Sequence, residues 1–394
     1  MFDAPLLVLR ILIFILGLAL NLYTINSALR SFVLPRADRS FLTAQVMRLI
    51  YLVLAFRFKA NTRFAKKDAI LAMHPPYTMF ILPLIWLVLI IIGYTGLYWA
   101  IDPALSVRNA LILSGSSLMT LGAFFHDSTP IILLTFSQAS LSVMLIALLI
   151  GYLPTMYSAF SQRELMVTKL EAYAGSPPTP TEMIHRLYYI NILENPEAMQ
   201  ALWTDWQDWF LQIEEQHTTL SLLNFYRSPK PDRHWVTAAG CVLDSAAIIA
   251  SSVQIDRAAI GGIVLRSGYI TLRSIADSFD LSYNANPHHE DPIQVTRDEF
   301  EQVLDTLEQQ GLPINPDRDY CWDHYSGWRV NYDEVLIGLA WITNAPYAMW
   351  SSDRAREWLP EDIPAPSMSI LDSIRTTTDD DAVELGEESG SVNQ

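Results

Sequence analysis

Charged residues are scarce, 17% of 394 positions against roughly 25% in soluble domains. Joined to a 51% apolar content and a positive mean hydropathy of +0.20, that scarcity excludes an ordinary water-soluble globule and points to a membrane protein. Basic residues are scarcer still: 26 Lys/Arg face 42 Asp/Glu, a formal net charge of −16. Nucleic-acid binding is thereby excluded, because it needs a basic face to displace counterions from phosphate. Cysteine is limited to Cys241 and Cys321, far apart and without CxxC spacing, which supports neither a disulfide framework nor a zinc site and suits a cytosolic compartment. No G-x-G-x-x-G follows a strand-like run, so a nucleotide-binding domain of that kind is not recognisable. No Ser/His/Asp, Cys/His or paired-metal arrangement stands out either, and no enzyme is expected.

What is present is long apolar runs. Ile11–Leu29, Tyr77–Ile101 and about Pro130–Tyr157 each suffice to cross a hydrocarbon core of roughly 30 Å, which takes about 20 helical residues. The first is expected to stay as an uncleaved span, because its leader carries an acid, no early basic cluster and no convincing small-x-small site. Arg30, Arg36, Arg39, Arg48, Arg57, Lys59, Arg63, Lys66 and Lys67 separate the first two spans, and the positive-inside bias puts that loop in the cytoplasm and the N-terminus outside. Within it, Phe41–Phe58 carries Arg48 at its centre and is read as an interfacial helix with snorkelling arginines. Were it to span, the N-terminus would flip, but residues 102–129 would still face outward and Arg163 and Lys169 would still lie inside.

Charge is also split along the chain. Residues 1–175 carry a net +6 and residues 176–394 a net −22, so two solvents are implied. Pro177, Pro178 and Pro180 mark a stiff linker that ends the long helix. Beyond it a helical cytosolic domain is expected, with candidates Thr181–Leu193 (Thr181 as N-cap), Pro196–Gln216, Arg233–Val253, Asp256–Phe279, Arg297–Gln310 and Asn331–Thr343. The third and fourth are apolar enough to suggest a membrane, yet Asp244, Arg257, Arg266 and Arg273 favour a buried helical pair. From Leu371 the tail is acidic and polar and is expected to be disordered. The domain reading is therefore 1–76 (N-terminal span and basic segment), 77–160 (pore domain), 161–180 (linker), 181–370 (helical cytosolic domain) and 371–394 (acidic tail).

Between the second and third spans, Ser106–Pro130 is too short to cross and return as two helices. About 13 residues, Ser106–Met119, fit a half-depth helix, and Thr120-Leu121-Gly122-Ala123-Phe124 can climb back as extended backbone. Lipid cannot satisfy such backbone, so a re-entrant loop implies a pore or cavity.

The order of outer helix, Ser-rich pore helix, Thr-x-Gly, acid and long inner helix ending near Arg163-Glu164 resembles the two-span pore module of the potassium-channel superfamily, over about Tyr77–Glu164. That resemblance implies an all-α membrane protein with outer helix, re-entrant pore helix and filter, and inner helix, beside an N-terminal span and the cytosolic domain. In the family's T-V-G-Y-G signature stacked carbonyls replace the ion's water shell. Thr120 then supplies the hydroxyl and inner carbonyl site, Leu121 packs behind the filter, and Gly122 permits the backbone angles that aim carbonyls at the axis. Ala123 stands where the family has Tyr, Phe124 where it has its second Gly, and Asp127 lies beyond the usual acid while still charging the mouth. Two inner sites at most and weakened K⁺ over Na⁺ discrimination follow. One loop per chain implies a homotetramer in the bilayer of a bacterial plasma (inner) membrane, multi-pass, with the C-terminal domain cytoplasmic, monovalent cations as the permeant species and no cofactor.

On the inner helix, Thr135, Gln138 and Ser142 fall on one face at i, i+3 and i+7, placed to line the cavity or to bond neighbouring helices. Gly151 and Pro154 supply a hinge or gate, or simply end the span. Asn286–Asp291 reads as a solvated turn, Glu299, Glu301, Asp305 and Glu308 as an exposed helix face, and Asp317, Asp319, Asp323 and His324 lack EF-hand spacing. Trp203, Trp206, Trp209 and Phe210 recur at helical spacing as packing. A non-selective channel and a non-conducting, pore-like scaffold or signalling protein are the alternatives.

Overall fold

In a computed structural model, residues 4–32, 41–57, 64–123, 126–255 and 258–355 are described. Their regular elements are all helical, apart from one isolated bridge between Val253 and Ile314. Phe124 and the acidic tail lie outside the described residues. Six helices come first: α1 (Ala4–Phe32), α2 (Phe41–Ala55), α3 (Phe64–Leu71), α4 (His74–Ile101), α5 (Val107–Leu118) and α6 (Thr129–Ala174). The chain divides into two units, one of residues 1–53 with 73–158, the other of 54–72 with 159–394.

In the first unit α1 and α4 run antiparallel. Arg10 donates to Trp99 O at 2.8 Å and Pro103 O at 3.3 Å, and Trp86 Nε1 donates to Ser27 Oγ at 3.2 Å near the opposite end. Midway the backbones touch: a Cβ on Gly17 would lie 2.6 Å from Gly93 O, and one on Gly93 2.4 Å from Asn21 Oδ1. Without a hydrophobic drive between helices in lipid, such close approach is what holds them. The short α2 spans 15 residues, about 22 Å, too little to cross. Phe41, Leu49 and Val53 on it are exposed, a face compatible with an interfacial helix.

The second unit adds α7 (Pro180–Tyr189), α8 (Pro196–Thr219), α9 (Trp235–Ser252), α10 (Ala258–Asp277), α11 (Arg297–Gln309), α12 (Arg318–Arg329) and α13 (Asp333–Ile342). Four described helices are long and apolar enough to cross a membrane, but they divide sharply by burial. The most apolar stretch is 94% buried in α9 against 11% in α1 and 17% in α6. Helix α9 is wrapped by the chain's own helices, and its Asp244 takes both Arg329 Nη1 contacts at 2.7 Å and the Tyr332 hydroxyl at 2.8 Å. Arg329 in turn holds Asp333 at 2.7 Å, so the buried charges are mutually satisfied. The Trp203–Phe210 repeat is core, all four side chains being buried.

Two boundaries differ from expectation. The linker expected over 161–180 shrinks, because α6 continues to Ala174 and buries Val167, Leu170 and Ala174 in this unit's core. Thr179, not Thr181, caps α7, accepting from Glu182 N at 3.3 Å; Pro180, with no N–H to satisfy, takes the first helical position.

Candidate pore loop

Helix α5 has 12 residues, about 18 Å, and contacts on both flanks fix how deep it goes. Ser114 Oγ donates to Ile91 O at 3.0 Å, ten residues before the end of α4, hence about 15 Å in. Ser142 Oγ donates to Leu118 O at 2.6 Å, 13 residues into α6, or about 20 Å. The helix therefore ends partway along both α4 and α6.

The turn at the bottom is specific. Leu121 N bonds Ser116 O at 2.9 Å and Thr120 N bonds Ser117 O at 3.1 Å, a Schellman ending with Thr120 at the left-handed position. Thr120 has φ +53° and Gly122 φ +63°. Glycine adopts such angles freely, but a β-branched residue does so only under strain. Ser116 Oγ accepts from Ala123 N at 2.8 Å. The N–H groups of Thr120, Leu121 and Ala123 are thus engaged, whereas no described residue donates to the carbonyl oxygens of Thr120, Leu121 or Gly122. All three residues are exposed on this chain, Leu121 at 70%, so Leu121 does not pack behind the loop within its own subunit. It lacks a cover there because α5 turns its apolar positions Ala110, Leu113 and Leu118 inward instead.

The polar stripe of α6 lies elsewhere than a cavity wall. Gln138, fully buried, accepts from Tyr98 OH at 2.9 Å and donates to Ser114 Oγ at 2.9 Å. Thr135 Oγ1 donates to Ile131 O at 2.9 Å and accepts from Tyr98 OH at 3.5 Å. With Ser142 on Leu118 O, Gln138 and Ser142 brace α5 while half-buried Thr135 faces Tyr98 of α4; the cavity-lining expectation for the stripe is corrected accordingly. Buried polar groups in an apolar setting must be paired, and α4 and α5 supply the partners. The face of α6 turned away from the chain carries Phe136, Ser140, Val143, Met144 and Ala147. Gly151 and Pro154 do not break the helix, since α6 runs through both. A Cβ at Gly151 would meet nothing within 4 Å, so packing does not demand glycine there.

At the outer end, Asp127 is exposed and its neighbour His126 pairs with Asp102 at 2.8 Å. Ser128 N donates to His126 Nδ1 at 3.2 Å, which leaves Nε2 as the donor to the carboxylate. The Asp102–His126 strap and Tyr98 escape a reading of motifs, because their only sequence signal is position just outside, or within, an apolar run. Among the described residues no group of three His/Cys/Asp/Glu is placed to hold a metal. Cys241 and Cys321 are buried, and desolvation pushes both thiols up, away from nucleophile chemistry.

No family model, no curated protein and no solved structure matches this chain.

Proposed function

We propose that four copies of this chain form a cation channel resembling potassium channels, with Thr120–Leu121–Gly122 as a shortened inner filter. The observation that carries this reading is the set of three exposed carbonyl oxygens to which no described residue donates; on a segment taken as re-entrant, such backbone survives only along an aqueous path. Exposure of the same stretch supports placing neighbouring copies against it. The cavity below is then lined by the outward face of α6, around Ser140, Met144 and Ala147, since Gln138 and Ser142 are engaged with α5. The Gly151/Pro154 region is assigned to gating. Ala123 in place of an aromatic leaves fewer sites than a full signature, which favours weak discrimination between K⁺ and Na⁺.

Flux from purified protein in liposomes tests the reading, with K⁺, Na⁺ and larger cations compared and Gly122→Ala as control. Selective or non-selective cation flux that is lost in Gly122→Ala supports it. Flux unchanged in Gly122→Ala and in Thr120→Val would remove the filter assignment, and a verified tetramer silent under all conditions would favour the scaffold alternative.

A further inference from the structure

In the second unit a half-open cavity of about 950 Å³ lies between α12, α10 and the segment 289–297, at the upper end of the roughly 300–1,000 Å³ usual for ligand sites. Two half-buried indoles, Trp322 and Trp328, and the ring of Tyr269 supply its apolar lining. Three carboxylates, Glu290, Asp291 and Asp323, share it. One cation, Arg297, also lines it, but that guanidinium is already held by Glu301 at 2.7 Å and Asp319 at 2.5 Å. Arg273 lies just behind, bonded to Asn331 O at 2.9 Å and Ala285 O at 2.9 Å.

The balance of the lining is therefore negative, and the loop wall is preformed. His288 N is fixed by Asp291 at 2.8 Å, Asn284 N by Glu334 at 2.9 Å and Gln294 N by Asp333 at 2.9 Å. The chain itself places a cation on one of these rings, the Arg273 guanidinium 5.0 Å from the centroid of Tyr269. No described cation covers Trp322 or Trp328, and no described residue pairs with the Asp323 carboxylate. A bare metal ion does not fit, because no metal-ligating group of three is formed among the described residues.

We infer that this groove binds an organic cation, an alkylated ammonium whose methyl groups lie against the indoles and whose charge is met by Asp323. Desolvated ammonium–indole contacts and a nearby carboxylate select for positive charge on an apolar body, which neither K⁺ nor a neutral alcohol offers. The site belongs to the second unit alone and does not depend on the channel reading.

Calorimetric titration of the full chain in detergent with choline, and with its uncharged carbon analogue 3,3-dimethylbutanol, tests the inference. Choline is expected to bind saturably and at least about tenfold more tightly than the analogue. Trp328→Ala should weaken choline by about tenfold or more. Asp323→Asn, an exposed position with no side-chain bond to lose, should weaken it about fivefold while leaving the melting curve unchanged. Equal affinity for choline and the neutral analogue, no saturable heat from either choline or tetraethylammonium, or unaltered binding in a folded Asp323→Asn variant would each overturn it.

Discussion

Thr120 is the residue at which sequence and geometry disagree most. A threonine at φ +53° costs on the order of 1–3 kcal/mol, at a Schellman position where glycine is the usual choice. Thr120→Gly should therefore raise the thermal stability of the assembled protein by about 1 kcal/mol and, if the threonine is kept for its hydroxyl and carbonyl, reduce or de-select cation flux. A variant that is neither more stable nor altered in flux would show that the strain is neither real nor useful. Gly122→Ala should move stability the other way by about 1 kcal/mol, its φ being +63°. The Thr-x-Gly pattern is legible in the sequence, but the strain is not, since nothing in a tripeptide tells which member takes the left-handed angle. In the second unit, His217 and His234 are fully buried, each with Nε2 lacking a partner among the described residues. Burial first, and then the nearby Arg163 (for His234, Arg227 as well), hold both imidazoles well below their ordinary 6.5. The unfolded chain binds those protons below about pH 6.5 and the folded chain does not, so this stability is present above that pH and is lost as pH falls beneath it. Each residue contributes a slope of about 1.4 kcal/mol per pH unit. Melting curves between pH 7.5 and pH 5 should show that decline, and His217→Gln should flatten it; a pH-independent melt would contradict the buried, neutral assignment.

At the scale of elements, hydropathy identifies which helices are apolar and leaves open what surrounds them. Helix α9 meets the composition of a membrane span, yet a single acid, Asp244, betrays its burial by needing Arg329 and Tyr332 close at hand. Helix α12 is invisible to an apolar pattern because its buried stripe is Cys321, Tyr325 and Arg329, one of them charged; the signal that was available is the Asp317 cap, which accepts from Tyr320 N at 3.0 Å. The stripe on α6 is equally instructive, since periodicity puts Thr135, Gln138 and Ser142 on one face but cannot say which neighbour that face meets. Because Gln138 joins α4 to α5 through Tyr98 and Ser114, Gln138→Leu takes the short acceptor from the buried Tyr98 hydroxyl, leaving it the 3.5 Å contact to Thr135, and takes one donor from Ser114 Oγ, which keeps Ile91 O. The expected cost is about 2–3 kcal/mol, against about 1 kcal/mol for Ser142→Ala. Thermal melts of the two variants decide the matter: a Gln138→Leu protein as stable as the parent would return this side chain to the cavity wall. Below, the segment 221–234 grips two helices of its own unit. Leu223 O and Tyr226 O accept from Arg163 of α6 at 2.9 and 2.8 Å, and Arg227 pairs with Asp68 of α3 at 3.2 Å.

For the whole molecule, the proposed channel rests on one such loop per chain among the described residues. Three donor-free carbonyls on a single exposed strand cannot replace an ion's hydration shell, whereas a ring of such strands around an axis can, and closed rings of identical subunits are the ordinary way to build one. Four chains of 44.6 kDa make a particle of about 178 kDa, but mass alone does not establish that all copies share one path. Mixing does. If Gly122→Ala silences any ring that contains it, equal amounts of wild-type and variant chains, assembled at random, leave roughly one sixteenth of fourfold rings wholly wild type. A twofold assembly would leave roughly one quarter, and pores confined to single subunits roughly one half. Flux measured across a series of mixing ratios therefore separates a shared axial filter from independent paths. A linear fall with the variant fraction would sink the common pore even if the protein conducts, and a fourth-power fall would tie Thr120–Gly122 of every copy to the same ions.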